Sequence, residues 1–182
     1  MNMMQEWSDT HDGILWAIRS WKHPQPEEQD MGNAAWAFYL YIHIDRIPEE
    51  SNPESFWLPP CTSESGRIYY SYSNHEILRA MDWHQEITWY SKDFGLDGQP
   101  RVIKVGCDYQ HYHDEGRCRS LEEVRSDAIN AIASFRNLVP GYKYWCPHDG
   151  KLHLPSEITK TEGGRYKCGC SNISSSKSQG DI

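Results

Sequence analysis

Residues 34–44 constrain the fold more than any other stretch. Trp36, Phe38, Leu40, Ile42 and Ile44 alternate there with a second, mixed set of side chains. A period of two with bulky apolar residues on one side is the pattern of a long strand with one buried face. The best helix of the chain can cover such a face. Ser120-Leu121-Glu122-Glu123 is a capping box, in which the serine caps the first turn and the glutamate reaches back. Leu121, Val124, Ala128, Ala131, Ile132, Phe135 and Leu138 then form one apolar stripe, ended by Pro140-Gly141. The expected class is α+β: a four- or five-stranded, mostly antiparallel sheet packed by one long helix, with a C-terminal Cys/His β-ribbon.

The remaining elements read less clearly. Ile14, Leu15, Ile18 and Trp21 fall at helical spacing, which predicts a helix over 8–22 capped by Ser8 or Asp9, with Gly13 as an inconsistent residue. His23 to Gly32 reads as a polar loop. Residues 45–65, rich in proline, read as an irregular excursion around Phe56-Trp57-Leu58. Strands are expected at 67–73, 87–90 and 101–106, and Asn74 can cap a short helix to Met81. The expected organisation is a core domain over 1–140, a zinc-ribbon-like appendage over 141–170 and a disordered, serine-rich tail over 171–182.

A chain of 182 residues can bury roughly 70% of its unfolded surface, so it needs no disulfide staple. Its longest apolar run, residues 34–42, falls far short of the roughly 20 residues that cross a bilayer. The start, Met1-Asn2-Met3-Met4-Gln5-Glu6, lacks the basic region of a signal peptide. A cytoplasmic, reducing location is therefore expected, with the six cysteines as thiols or metal ligands. The net charge of −8 argues against a general nucleic-acid binder, because such binding neutralises phosphates with Lys and Arg. Residues 1–100 hold 6 basic and 16 acidic side chains. That acidic half can serve as a surface for a basic partner, or simply for solubility.

Two constellations carry chemistry. The first follows a predicted strand: Cys107-Asp108-Tyr109-Gln110-His111-Tyr112-His113-Asp114-Glu115. On a helical turn Asp108, His111 and Asp114 would share one side, as metal ligands or as an acid/base pair, or would tie the loop to the core. Cys107 is a candidate contact or nucleophile, although a cysteine just after a strand is commonly buried and inert. His84 and Glu86 stand before the strand expected to lie beside 101–106, so they join the candidate binding residues.

These two blocks, His84-Gln85-Glu86-Ile87-Thr88-Trp89-Tyr90 and Val105-Gly106-Cys107-Asp108-Tyr109-Gln110-His111-Tyr112-His113-Asp114, resemble a family of phage-encoded small proteins of unassigned function. Those proteins carry a His-Gly-Gly-(Leu/Ile)-Thr-Tyr block, then a Gly-Phe-Asp-Cys-Ala-His-x-x-Asp block, then a helix. The resemblance covers residues 83–138 and carries over His84, Thr88, Gly106, Asp108, His111 and Asp114. Gln85 and Glu86 replace the two glycines. It implies a viral accessory origin, with host defences as a candidate target.

The second constellation is Cys146-Pro147-His148, followed by Cys168-Gly169-Cys170. Cys146, His148, Cys168 and Cys170 supply the four soft or borderline donors that tetrahedral zinc takes, with His153 as a substitute for His148. Free thiols and a redox pair are the alternatives. Little aliphatic material is present over 141–170, so structural zinc would hold the ribbon together.

The expected function is binding: a phage-type accessory protein that blocks or sequesters a host component, with the acidic half and the 107–115 loop as its contact surface. The alternative is a metal-dependent hydrolase of a small phosphorylated or nucleotide signal, with Asp108, His111 and Asp114 as ligands or acid/base groups.

Overall fold

The computed structural model describes residues 4–22, 34–93, 101–109, 119–160 and 166–168. Five strands form one sheet: β1 (Gln5–His11), β2 (Ile14–Lys22), β3 (Ala34–His43), β6 (Trp89–Asp93) and β7 (Val102–Asp108). They run in the order β1-β2-β3-β7-β6, each antiparallel to its neighbour. The α+β expectation holds.

Residues directly opposite each other share a face, so the registers define the core. Trp16, Leu40, Val105 and Tyr90 make one row across four strands, and Ile18, Phe38 and Cys107 make the next. All seven are buried. Helix α2 (Leu121–Leu138) covers this face with Val124, Ala128, Ala131, Ile132 and Phe135, none of them measurably exposed. Each large side chain so buried stabilises the fold by about 1.5–3 kcal/mol. The capping box read from the sequence is present: the Ser120 hydroxyl accepts from Glu123 N–H at 3.2 Å, and Glu123 accepts from Ser120 N–H at 2.7 Å.

The helix expected over 8–22 is instead the β1/β2 hairpin. His11 pairs with Ile14 around a two-residue Asp12-Gly13 turn, both with positive φ (47° and 74°). That is a type I′ geometry, which matches the twist of the flanking strands and favours Asp-Gly. The helical spacing of Ile14, Ile18 and Trp21 was a coincidence: Ile14, Trp16 and Ile18 face the core at period two, while Leu15 is 41% exposed. A side chain at Gly13 would also meet the Tyr144 ring at 2.7 Å.

Two guanidinium groups anchor this turn. Arg136, in the last turn of α2, donates from Nε to the Asp12 carbonyl at 3.0 Å, and from its terminal nitrogens to the carbonyls of Asp12 and Tyr142. Arg46 donates to the Gly13 carbonyl at 3.2 Å.

Between β3 and β6 the chain makes the expected irregular excursion in short 3-10 turns, followed by the small hairpin β4 (Pro60–Thr62) and β5 (Ile68–Tyr70). Helix α1 (Glu76–Ala80) is capped by His75 rather than Asn74, its Nδ1 accepting from Leu78 N–H at 3.1 Å. C-terminal to α2 lie two more hairpins: β8 (Tyr144–Cys146) with β9 (Lys151–His153), and β10 (Ile158–Lys160) with β11 (Tyr166–Cys168). No helix among the described residues is long and apolar enough to cross a membrane. The tail over 171–182 lies outside the described residues.

His43, the last residue of β3, makes stability depend on pH. Its Nδ1 is shielded from water and has no hydrogen-bond partner among the described residues. Burial pushes its pKa down to about 4, Arg46 pushes the same way, and Asp45 opposes. The folded value lies below the ordinary 6.5, so the unfolded chain takes up the proton first. Stability is then complete above about pH 6.5 and falls as pH drops towards 4. Discounted for the part of the ring that water reaches, the loss should be about 1–2 kcal/mol. Urea midpoints at pH 7 and pH 4.5 check this. His43→Gln should remove that share of the difference, and an unchanged pH slope in the variant would disprove it.

Candidate functional site

Strand β6 begins where β7 ends, so the segment before β6 meets the residues at the close of β7. Thr88 N–H donates to the Gly106 carbonyl at 2.9 Å, and Thr88 Oγ1 accepts from Asp108 N–H at 3.0 Å. The two blocks singled out in the sequence are thereby stitched together. Asp108 is the last residue of β7, paired with Ala37, and Tyr109 N–H continues the ladder to the Trp36 carbonyl at 2.9 Å. The backbone at Asp108 is thus extended rather than a helical turn. His111, His113 and Asp114 lie outside the described residues. Cys107 faces the core opposite Phe38 and is 1% exposed, so it packs and does not offer a contact to a partner.

His84 is held in a tight polar cluster. Its ring stacks on Tyr109 with centroids 4.4 Å apart, and its Nδ1 lies 3.7 Å from Asp127 Oδ2. The Tyr109 hydroxyl donates to that same carboxylate oxygen at 2.7 Å. Burial and the bond to Asp127 both push the Tyr109 phenol's pKa up. Arg119 lies 3.1 Å from His84 Nε2, and because a guanidinium can only donate, the imidazole accepts there. The nitrogen a general base would use is therefore engaged, and the cluster ties α2 to the end of β7. Sequence reading missed Tyr109, Arg119 and Asp127, since only tertiary packing brings them to His84.

A groove lies beside the same sheet end. Its volume is about 350 Å³, and it is lined by Tyr69, Tyr70, Ser71, Tyr72, Ser73, Glu86, Ile87 and Thr88. Tyr72 is fixed by donating its hydroxyl to the Thr88 carbonyl at 3.1 Å and by stacking on Tyr90 at 6.5 Å. Burial raises its pKa, and the nearby carboxylates of Glu86 and Asp108 raise it further. Glu86 and Tyr69 are exposed. The Tyr-Tyr-Ser-Tyr run at 69–72 was the available signal for this groove, but the strand pattern there gave no reason to place it beside Glu86.

The C-terminal hairpins make a second site. Cys146 ends β8, His153 ends β9 and Cys168 ends β11. One donor atom from each lies within 4.8 Å of the others, close enough to hold a metal ion. Cys146 Sγ and Cys168 Sγ are 2.8 Å apart, and both residues are buried. The histidine that joins the two sulfurs is the alternative, His153, while His148 is exposed. Cys170 lies outside the described residues. His153 Nε2 is 2.9 Å from Asp149 Oδ2 and its Nδ1 is 3.6 Å from Glu157 Oε2. Burial alone would raise the Asp149 carboxyl. Donors from Lys151 N–H, His153 and the Cys146 thiol more than reverse this, and hold it below the usual range. Two sulfurs and an imidazole are a donor set that suits zinc.

No protein-family model matches the chain, and neither a curated protein nor a solved structure was found to match it.

Proposed function

We propose that this chain is a phage-type accessory protein that binds a host component and blocks or sequesters it. The contact surface is the sheet end formed by Asp108, Glu86 and the tyrosine groove. The observation that carries this reading is the groove itself: three tyrosines, two of them with fixed hydroxyl or ring partners, beside carboxylates and open to solvent. Rigid, partly exposed tyrosines contribute large contact area at small entropic cost, and they are enriched where proteins bind proteins. In the same reading zinc is structural. Cys146, His153 and Cys168 hold it, and the ion staples the C-terminal hairpins to one another.

A photoreactive phenylalanine analogue placed at position 69 tests the binding surface, with position 145, exposed on the C-terminal hairpin, as the control. In native host cells, irradiation should give one discrete covalent adduct to a host protein from position 69 and none from 145. Glu86→Arg should reduce the adduct at least tenfold, the effect of about 1.4 kcal/mol of lost affinity. Equal labelling from both positions, or no adduct from 69, would overturn the proposal.

A further inference from the structure

Resting on that reading, we infer that the tyrosine groove receives a cationic side chain, lysine or arginine, presented by the protein partner. The chemistry of the lining points there. Tyr69, Tyr70 and Tyr72 offer ring faces with negative quadrupole, Glu86 adds a carboxylate, and among the described residues none that lines the groove carries a positive charge. Asp108, close enough to act on the Tyr72 hydroxyl, adds a second negative charge at the same end.

The aromatic wall already holds one cation of the chain itself. Lys92 Nζ sits 5.6 Å from the Tyr70 ring centroid and 4.6 Å from that of Trp57. That leaves Tyr69, 48% exposed, and Tyr72 as the rings for a guest. Their supports are rigid: Tyr70 packs on Tyr90 at 5.0 Å, and Tyr90 itself donates to the Phe56 carbonyl at 2.7 Å. A preformed wall spares the guest the cost of ordering it. About 350 Å³ is at the lower end for a small-molecule site and suits one long side chain. The wider charge agrees, with 16 acidic against 6 basic residues over positions 1–100, a field that attracts a basic partner.

The test uses the full chain with fluorotyrosine incorporated, followed by fluorine NMR. The probes are N-acetyl-arginine methylamide, N-acetyl-lysine methylamide, the uncharged N-acetyl-norleucine methylamide and the anionic N-acetyl-glutamate methylamide. The resonances of Tyr69 and Tyr72, assigned by Tyr→Phe variants, should shift saturably with the two cationic probes. Binding should weaken about three- to tenfold in Glu86→Gln, in line with an exposed charge pair and cation–π contact, and should be lost in Tyr69→Ala. Norleucine shifting the same resonances equally would show a merely apolar groove and overturn the inference, as would tighter binding of the glutamate probe or no change in Glu86→Gln. The two proposals fail separately. Cation selectivity without an adduct at position 69 would sink the host-binding reading alone, whereas an adduct without cation selectivity would sink this one alone.

Discussion

Purified without added metal, the protein is expected to carry one zinc ion that chelation or Cys146→Ser removes, and its loss should melt the C-terminal hairpins while the five-stranded sheet survives. Cys146 and Cys168 are buried and His153 closes the group, yet β8, β9, β10 and β11 are each only three residues long. Isolated two-stranded hairpins of this size are marginal in water. Trp145, Leu152 and Leu154 are exposed rather than packed, so little apolar burial holds the segment. On the proposed reading, metal-ligand bonds would then be the main source of local order. Native mass spectrometry with and without chelator reads the ion. Amide exchange should accelerate about a hundredfold over residues 144–160, about 3 kcal/mol of local stability, with β2, β3 and β7 unchanged. A bare-chain mass in the untreated protein, or one lighter by two hydrogen atoms from a disulfide at Cys168, would rule the zinc out.

The second large effect belongs to Arg136. Arg136→Met should lower global stability by about 3 kcal/mol, because the carbonyls of Asp12 and Tyr142 lose their charged donor in a part-buried setting. The guanidinium also lies 4.0 Å from the Tyr144 ring centroid and 4.8 Å from that of Tyr142. Three parts of the chain meet on it: the β1/β2 turn, the end of α2 and the start of the C-terminal hairpins. Arg136→Lys should recover little, since an ammonium cannot reproduce the planar fork that serves two carbonyls. Urea denaturation followed by circular dichroism measures both. A loss below about 1 kcal/mol for Arg136→Met would mean that water replaces the side chain there.

What could be read in advance depended on how local the signal was. Strand β3 and helix α2 were legible because Trp36-Phe38-Leu40-Ile42 and Val124-Ala128-Ala131-Ile132-Phe135 each repeat one period for the whole element, and Ser120 with Glu123 marks the helix start within four residues. The first hairpin was misread because four apolar residues happened to satisfy the wrong period, although Asp12-Gly13 already encoded a two-residue turn. At the site, Asp108, Thr88 and Glu86 were within reach because antiparallel pairing of neighbouring strands brings their ends together. Tyr69, Tyr72, Arg119 and Asp127 were not, since they arrive from β5 and the turn after it, and from α2 and the residue before its cap, by packing that no short window records. In the ribbon, the residue types were clear while the choice of His153 over His148 was not. Tyr144 pairs with His153 across the hairpin, and only that register sets which imidazole turns towards the sulfurs.

The strand order has a consequence for synthesis. β3 is flanked by β2, which precedes it in the chain, and by β7, which is completed only at residue 108. A three-stranded meander can therefore assemble early on the ribosome, but its third strand, β3, waits as an edge with one row of backbone donors and acceptors unpaired while residues 44–101 are translated. During that interval the row of Trp36, Phe38, Leu40 and Ile42 also lacks the helix that later covers it. The nascent chain thus presents a long, sticky edge for several seconds at ordinary elongation rates of about 5–20 residues per second. Its yield in cells should depend on how quickly the second half follows the first.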